Sequence, residues 1–255
     1  MCSSDLAKAV LSREGLREMV AKTQFAITGE DTRFFLNGAL FVLRTDSMSL
    51  VATDGHRLAL VTVKRPTADD SIPAGEEVKV ILPKKTLLEL GKLLSESEGD
   101  ITYERGENHL FFDVGGRVLI SRMIDGQFPA YERVIPKGND KKIEFERERL
   151  TSAVKRVALL SNERSRAVKF ETSKGRVDVT SSSSEFGEAK EQLPVDYTGD
   201  AMAISFNAQY VLDFLNAVGS DVVSLSLKDE VSQAVLRPVG EQSYDYTYVI
   251  MPMRI

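Results

Sequence analysis

The chain has 255 residues, 42% of them hydrophobic and 28% charged, with a net charge of −5. That length suits two domains of about 120 to 130 residues better than one, and no stretch reaches the roughly 20 apolar residues of a membrane span. A single cysteine, Cys2, excludes an internal disulfide framework and fits a reducing cytoplasm; His56 and His109 are too few for a typical histidine metal site; and an acidic sum argues against a generic nucleic-acid binder unless the cations gather on one surface.

Residues Met1 to Leu6 look unrelated to the rest of the chain and are set aside as a junction or tail, with no basic region and apolar run of the signal-peptide kind. From Ser12 to about Ile27 the pattern is helical, with Leu16, Met19, Val20 and Thr23 at i, i+3, i+4 and i+7. Strands are expected at Ala39–Leu43, Leu50–Ala52 and Leu58–Val63, the last two joined by the turn Thr53-Asp54-Gly55-His56-Arg57. A strand at Val78–Leu82 leads into a helix from Pro83 to Leu94, with proline well placed at its start. Strands at Asp100–Arg105, His109–Val114 and Val118–Met123 come next, and Gly115-Gly116 is a hairpin turn between the last two.

The charged, turn-rich run Pro136 to Lys141 is the best domain boundary, giving domains 1–138 and 139–255. Beyond it a helix is expected from about Glu146 to Leu160, then strands near Ala167–Thr172 and Arg176–Thr180 and a polar turn at Ser181 to Ser184. A strand at Ala201–Phe206, a helix capped by Asn207 and running to Val218, and strands at Val222–Leu227, Gln233–Pro238 and Tyr246–Met251 complete the chain. Both halves share one order, and Leu82, Pro83, Leu87, Leu88 and Leu94 match Phe206, Asn207, Val211, Leu212 and Val218, each pair 124 positions apart. This is an internal repeat of one folding unit, an antiparallel sheet with two helices on one face.

Catalytic motifs are missing. There is no Gly-x-Ser-x-Gly, P-loop or Cys-x-x-Cys. Asp54 and His56 stand at i and i+2 across a turn with no nucleophile beside them, so the histidine reads as a hydrogen-bonding wall residue.

The segments Ala52-Thr53-Asp54-Gly55-His56-Arg57-Leu58 and Val249-Ile250-Met251-Pro252-Met253-Arg254-Ile255 resemble the signatures of bacterial DNA polymerase sliding clamps, the DNA polymerase III β subunits. Phe35 to Gly38, Asp125 to Tyr131 and Leu160 to Glu163 match the same family in order and spacing. The resemblance runs from about residue 10 to the end. It implies an α+β DNA-clamp fold in which each repeat has antiparallel β-sheets and two helices on the inner face. It also implies a cytoplasmic, non-catalytic processivity factor with no cofactor, metal or membrane. Such proteins encircle double-stranded DNA without regard to sequence and tether the replicative polymerase and clamp-loader subunits through short clamp-binding peptides. Full-length members are ring homodimers of three repeats per chain. The second and third repeats are recognised here and the N-terminal clamp domain is expected to be absent, leaving one side of the ring joint unmade. The alternative is a truncated clamp-fold module that binds partner peptides but cannot close around DNA.

The resemblance also places functional residues. A partner-peptide pocket between the two domains would draw Arg33, Leu36, Thr53, Gly55, His56, Arg57 and Leu58, with Pro129, Arg133 and Val134, from the first repeat. Asn207, Tyr210, Val231, Gln233, Val249, Met251, Pro252, Met253 and Arg254 would come from the second. Methionine suits such a pocket because its flexible thioether accepts varied apolar anchors. Simpler readings compete: Asp54-Gly55 as a hairpin turn, Asn207 as a helix cap, Met251 and Met253 as core. Ser165 stands where some relatives carry an aromatic ring, which opens one pocket wall. DNA-facing residues would be Arg13, Arg17 and Lys22 on the first helix, Lys84, Lys85 and Lys92 on the second, and Arg149, Lys155 and Arg156 on the third, with Arg147, Arg164 and Arg166 nearby and Phe34 and Phe35 in the loop. Against them, Lys and Arg on helix faces are often only solvated. Leu159 and Leu160 align with ring-joint positions and would be exposed if unpaired.

Overall fold

The computed structural model describes residues 7–29, 31–65, 76–162, 165–183 and 187–254. The proposed junction at residues 1–6, together with Glu163, Arg164, Ser184 and Ile255, lies outside them. The chain divides into two compact units, Met1–Pro129 with Ser243–Tyr246, and Ala130–Gln242 with Thr247–Ile255.

In unit 1, strand β1 (Ala7–Leu11) leads to helix α1 (Arg13–Thr23), then β2 (Gly38–Leu43), β3 (Ser47–Thr53), β4 (Arg57–Lys64), β5 (Val78–Pro83), helix α2 (Lys84–Glu96), β6 (Ile101–Arg105), β7 (His109–Val114) and β8 (Arg117–Arg122). Two four-stranded antiparallel arrays result, ordered β1-β6-β7-β8 and β5-β2-β3-β4. The Ser12 hydroxyl starts α1 by accepting from the Gly15 N–H at 3.2 Å. Gly15 is needed for close approach: a Cβ there would sit 2.7 Å from Met48 Cε and 2.9 Å from Val63 Cγ1, so the missing side chain lets the helix press on β3 and β4. The apolar seam of α2, Leu87, Leu90 and Leu94, is fully buried. Tyr103 lies in the core, its ring 5.7 Å from that of Phe41 and 5.3 Å from that of Phe112.

Unit 2 repeats the plan with β9 (Lys141–Glu146), α3 (Arg147–Ala158), β10 (Ala167–Ser173), β11 (Arg176–Ser183), β12 (Gly187–Pro194), β13 (Met202–Asn207), α4 (Ala208–Ala217), β14 (Val222–Leu227), β15 (Ala234–Pro238) and β16 (Tyr244–Ile250), of which Tyr244–Tyr246 fall in unit 1. Its arrays run β12-β11-β10-β13 and β16-β15-β14-β9. Asn207 Oδ1 accepts from the N–H groups of Gln209 (2.9 Å) and Tyr210 (3.3 Å), so the expected cap of α4 is present. Tyr248 stacks on Phe214 at 5.3 Å and donates its hydroxyl to the Tyr210 carbonyl.

The strand count expected from sequence needs correction. Each repeat holds two arrays, and β1 and β9 each add a strand ahead of the first helix of the repeat. Ser181 to Ser183 form no turn: they extend β11, paired with Ala189, Glu188 and Gly187 of β12, and the Ser181 hydroxyl donates to the Val157 carbonyl at 2.6 Å. A small hydroxyl can satisfy itself on a neighbouring backbone, so a serine run is compatible with a strand. β12 escaped notice because its sequence, Gly-Glu-Ala-Lys-Glu-Gln-Leu-Pro, is an exposed edge with no apolar alternation. The first and third helices end earlier than expected, at Thr23 and Ala158.

Candidate functional site

In unit 1 the turn between β3 and β4 is tied from within. The Thr53 hydroxyl donates to the Arg57 carbonyl at 2.6 Å and accepts from the Gly55 N–H at 3.1 Å. The Asp54 carboxylate accepts from the backbone N–H of His56 (2.9 Å) and Arg57 (3.0 Å) and from Arg57 Nε (3.0 Å). Gly55 has φ +89, a left-handed value that costs a non-glycine residue. Asp54 thus serves the backbone and Arg57, which leaves His56 exposed at the tip and no catalytic pair. Arg57 is tied further, donating to the Phe25 carbonyl at 2.7 Å with its guanidinium 5.3 Å from the Phe25 ring.

Arg33 is held by Asp31, which accepts from its backbone N–H at 2.8 Å, from Nε at 3.0 Å and from Nη2 at 2.7 Å. The side-chain hydrogen bond from Arg33 keeps the Asp31 carboxyl near pKa 2. Asn37 secures Asp31 in turn, accepting from its N–H at 2.9 Å and donating to its carbonyl at 3.0 Å. The expected site residues of unit 1 therefore separate. Arg33, Gly55 and His56 are exposed. Leu36, Leu58 and Thr53 are buried and support the surface from below. Pro129 is exposed at the end of the unit.

Arg133 and Val134 belong to unit 2, both exposed, at a 3-10 turn over Tyr131–Arg133. In the same unit the segment after β16 lies along the free edge of β13: the Met253 N–H donates to the Ser205 carbonyl at 2.7 Å. Met251 is exposed, Pro252 and Met253 half-buried, Arg254 exposed, and Val249 fully buried as core. Val231 is 67% exposed, on a loop built by Asp229, which accepts from the N–H groups of Val231 (3.0 Å) and Ser232 (2.7 Å) and from the Ser232 hydroxyl (2.9 Å). The Ser232 hydroxyl, followed by those amides, holds Asp229 below the usual carboxylate range. Tyr210 and Gln233 are half-buried, and the Gln233 carbonyl accepts from Asn139 Nδ2.

Val231, Met253 and Arg254 border a groove of about 1010 Å³, floored by Ala167, Lys169, Thr180, Ser182 and Ser205 and walled by Glu171, Glu188 and Glu230. Sequence reading missed this floor. Its signal lay in the repeat itself. Lys169 opposes Thr180 in unit 2 as Leu40 opposes Val51 in unit 1. Leu40, Val42 and Val51 are buried, whereas Lys169 and Glu171 keep 44% and 40% of their side chains exposed. Ser165 lines the groove too, its N–H bonded to Asn162 Oδ1 at 3.3 Å.

The expected DNA-facing cations divide as well. Arg13 donates to the Leu94 and Ser97 carbonyls at 3.0 and 2.9 Å, closing the end of α2. Lys84 donates to the Ile27 carbonyl at 3.1 Å, and nearby Arg147 donates to that of Ser220 at 3.0 Å. Lys22 is 4% exposed, paired with Glu18 and lying 4.4 Å above the Tyr244 ring. Structure thus takes Arg13, Lys22 and Lys84 out of the set of free surface cations, because carbonyls, a carboxylate and an aromatic face already hold them. Lys85, Lys92, Arg149, Lys155 and Arg156 remain exposed and Arg17 half-buried. Arg17, Lys92 and Arg149 have surface carboxylate neighbours at 3.6, 3.0 and 3.9 Å. Arg156 is gripped through two nitrogens by Glu191 at 2.6 and 3.1 Å. Exposed pairs of this kind are weak and exchangeable. Phe34 is 72% exposed and Phe35 half-buried; Leu159 is 79% exposed and Leu160 half-buried. Among the described residues no group of three or more His, Cys, Asp or Glu is placed to hold a metal, and no helix is long and apolar enough to cross a membrane.

The family model described as DNA polymerase III beta subunit, central domain, matches residues 10–130, and that described as DNA polymerase III beta subunit, C-terminal domain, matches residues 132–254. The chain is 37% identical over 245 residues to the beta sliding clamp of Pseudomonas putida and 37% identical over 248 residues to that of Escherichia coli. Each match covers 96% of this chain and 65% of the relative, so the chain spans just under two thirds of the length of these curated relatives. Among solved structures, the DNA polymerase sliding clamp from Pseudomonas aeruginosa gives a TM-score of 0.90 at 36% identity, covering 97% of this chain and 67% of that one. The sliding clamp (DNA polymerase III subunit beta) from Bartonella birtlesii, solved bound to griselimycin, gives 0.87 at 40% identity, covering 97% and 66%.

Proposed function

Because this chain belongs to the family of bacterial DNA polymerase III beta subunits, the non-catalytic sliding clamps, we propose that it tethers replication proteins to DNA by capturing short peptides. The observation that carries this reading is the segment after β16. A Met-Pro-Met-Arg run is pinned by one backbone bond to Ser205, with exposed Met251 and Val231 in the same unit. Flexible thioethers offer apolar anchors a surface that reshapes to the partner, and a few such anchors carry most of the affinity of a small interface. Asn207 and Tyr210 supply polar atoms in unit 2; Arg33 and His56 do so in unit 1, where Asp31 and the Thr53 turn hold them in place.

The second part of the proposal is sequence-independent contact with duplex DNA, encircled in an assembly of such chains in the cytoplasm. Exposed Lys85, Lys92, Arg149 and Lys155 support it, since cations facing phosphates give salt-dependent attraction without base readout.

The test is fluorescence anisotropy with a labelled peptide from the clamp-binding segment of a bacterial replicative polymerase. Saturable binding near 1 μM, about −8 kcal/mol, displaced by griselimycin and weakened by Met253→Ala, is the expected result. A folded sample that binds neither ligand overturns the peptide reading.

A further inference from the structure

β13 ends its array, and its backbone alternates. The Ala203 N–H meets Glu230 Oε1 at 3.3 Å and the Ser205 carbonyl takes the Met253 N–H at 2.7 Å. Ala203 and Ser205 thus turn their polar groups away from β10, toward the edge on which Glu230 and the tail lie. Unit 1 makes the same return: Ile124 donates to the Ile81 carbonyl at 3.1 Å, and Ile81 holds the place in β5 that Ser205 holds in β13. There the chain runs on past the bond, and Gly126 lies against Phe35. The edge is therefore one on which this fold twice lays an extended segment.

The chemistry of the groove is uneven. Glu171, Glu188 and Glu230 share the lining with Lys169, Arg254 and a set of small residues. Lys169 is already paired with Glu171 at 2.7 Å. Exposed carboxylate is left over, and Val231 stands beside it. The tail itself lays extended backbone on this edge, its Met253 N–H on the Ser205 carbonyl and exposed Arg254 next in the chain.

We infer that this groove takes an extended, basic segment of a partner protein over the β12-β11-β10-β13 face, next to the methionine anchor surface. The inference rests on the partner-tethering reading and adds to it the class of residue that should flank the partner's anchor.

Amide NMR spectra of the full chain test it with two pentapeptides, Lys-Val-Lys-Val-Lys and Glu-Val-Glu-Val-Glu, at millimolar concentration. The basic peptide should shift the amides of Ala203, Ser205 and Glu188 and the acidic one should not, and a Glu188→Lys, Glu230→Lys variant with an unchanged melting temperature should lose the response. Joined to either end of the polymerase peptide, the basic sequence should tighten binding roughly two- to fivefold over the acidic one, the scale of an exposed ion pair. The inference is overturned if those amides stay still, respond equally to both peptides, or respond undiminished in the variant. The unextended polymerase peptide reports separately on Met251 and Met253: its failure with a groove response sinks the anchor reading, and its success without one sinks the groove.

Discussion

Asp31 and Arg33 form a two-pronged pair, with the carboxylate 3.0 Å from Nε and 2.7 Å from Nη2 of the guanidinium. The pair fixes the direction of an exposed cation at a surface proposed to meet a peptide. Its titration follows from the geometry. Folding lowers the Asp31 pKa from 3.8 to about 2, so the contribution is fully present above the unfolded value and is lost as pH falls through that window. NMR titration of the Asp31 carboxyl should show a midpoint near 2. Asp31→Asn should weaken polymerase-peptide binding less than about tenfold, the effect of releasing one held charge. Equal affinity for variant and parent would show that Arg33 does not touch the peptide.

Gly55→Ala tests the turn. At φ +89 an alanine is strained, at a cost of about 1–2 kcal/mol, and its Cβ would also lie 3.4 Å from Arg33 Nη1. Calorimetry should show unit 1 melting a few degrees lower. Unchanged melting would mean that the turn relaxes to another conformation.

Tyr103 offers the opposite sign. Its hydroxyl is fully buried with no hydrogen-bond partner among the described residues, and burial pushes its pKa well above the usual phenol value. Removing an unsatisfied buried group while keeping the ring should leave stability equal or raise it by about 1 kcal/mol. Tyr103→Phe is therefore expected to be neutral or stabilising in urea unfolding, and Tyr103→Ala to cost about 3–5 kcal/mol through the cavity. Destabilisation by the phenylalanine would point to a hydrogen bond from this hydroxyl.

The cations should sort into two classes. Arg149→Glu, Lys155→Glu and Lys85→Glu should weaken duplex binding for all sequences and lower the slope of log K against log salt, by roughly one for each phosphate no longer neutralised. Arg13→Ala should instead lower stability, because it strips two carbonyls at the end of α2 of their donor, while the salt slope stays as it was. A salt slope unaffected by the three charge reversals would remove these residues from the DNA surface.

Much of this protein is legible in order along its chain. The repeat is a local pattern written twice: apolar seams at helical spacing in Leu87, Leu90 and Leu94 and again in Val211, Phe214 and Leu215, with a proline or an asparagine at the helix entrance. Gly115-Gly116 marks its hairpin because a two-residue turn needs that backbone freedom. The turn Thr53 to Arg57 and the terminal Met-Pro-Met-Arg run stand out for another reason, being unusual residues in close succession. β12 and the serine run were not legible, since an exposed edge strand carries no apolar period and a serine's partner is set by whichever carbonyl packs beside it.

The site divides along the same line. Sequence alone determined which residue types were available: cations on the helices, methionines at the end, and a histidine in a turn with no nucleophile. Only the tertiary structure decided which of them are free. Lys22 and Lys85 are the same amino acid, yet one ammonium is held by Glu18 and the Tyr244 ring while the other reaches solvent. The Glu18 pair is local, four residues back on the same helix, but the Tyr244 ring that covers Lys22 comes from the far end of the chain, and no local pattern encodes that burial.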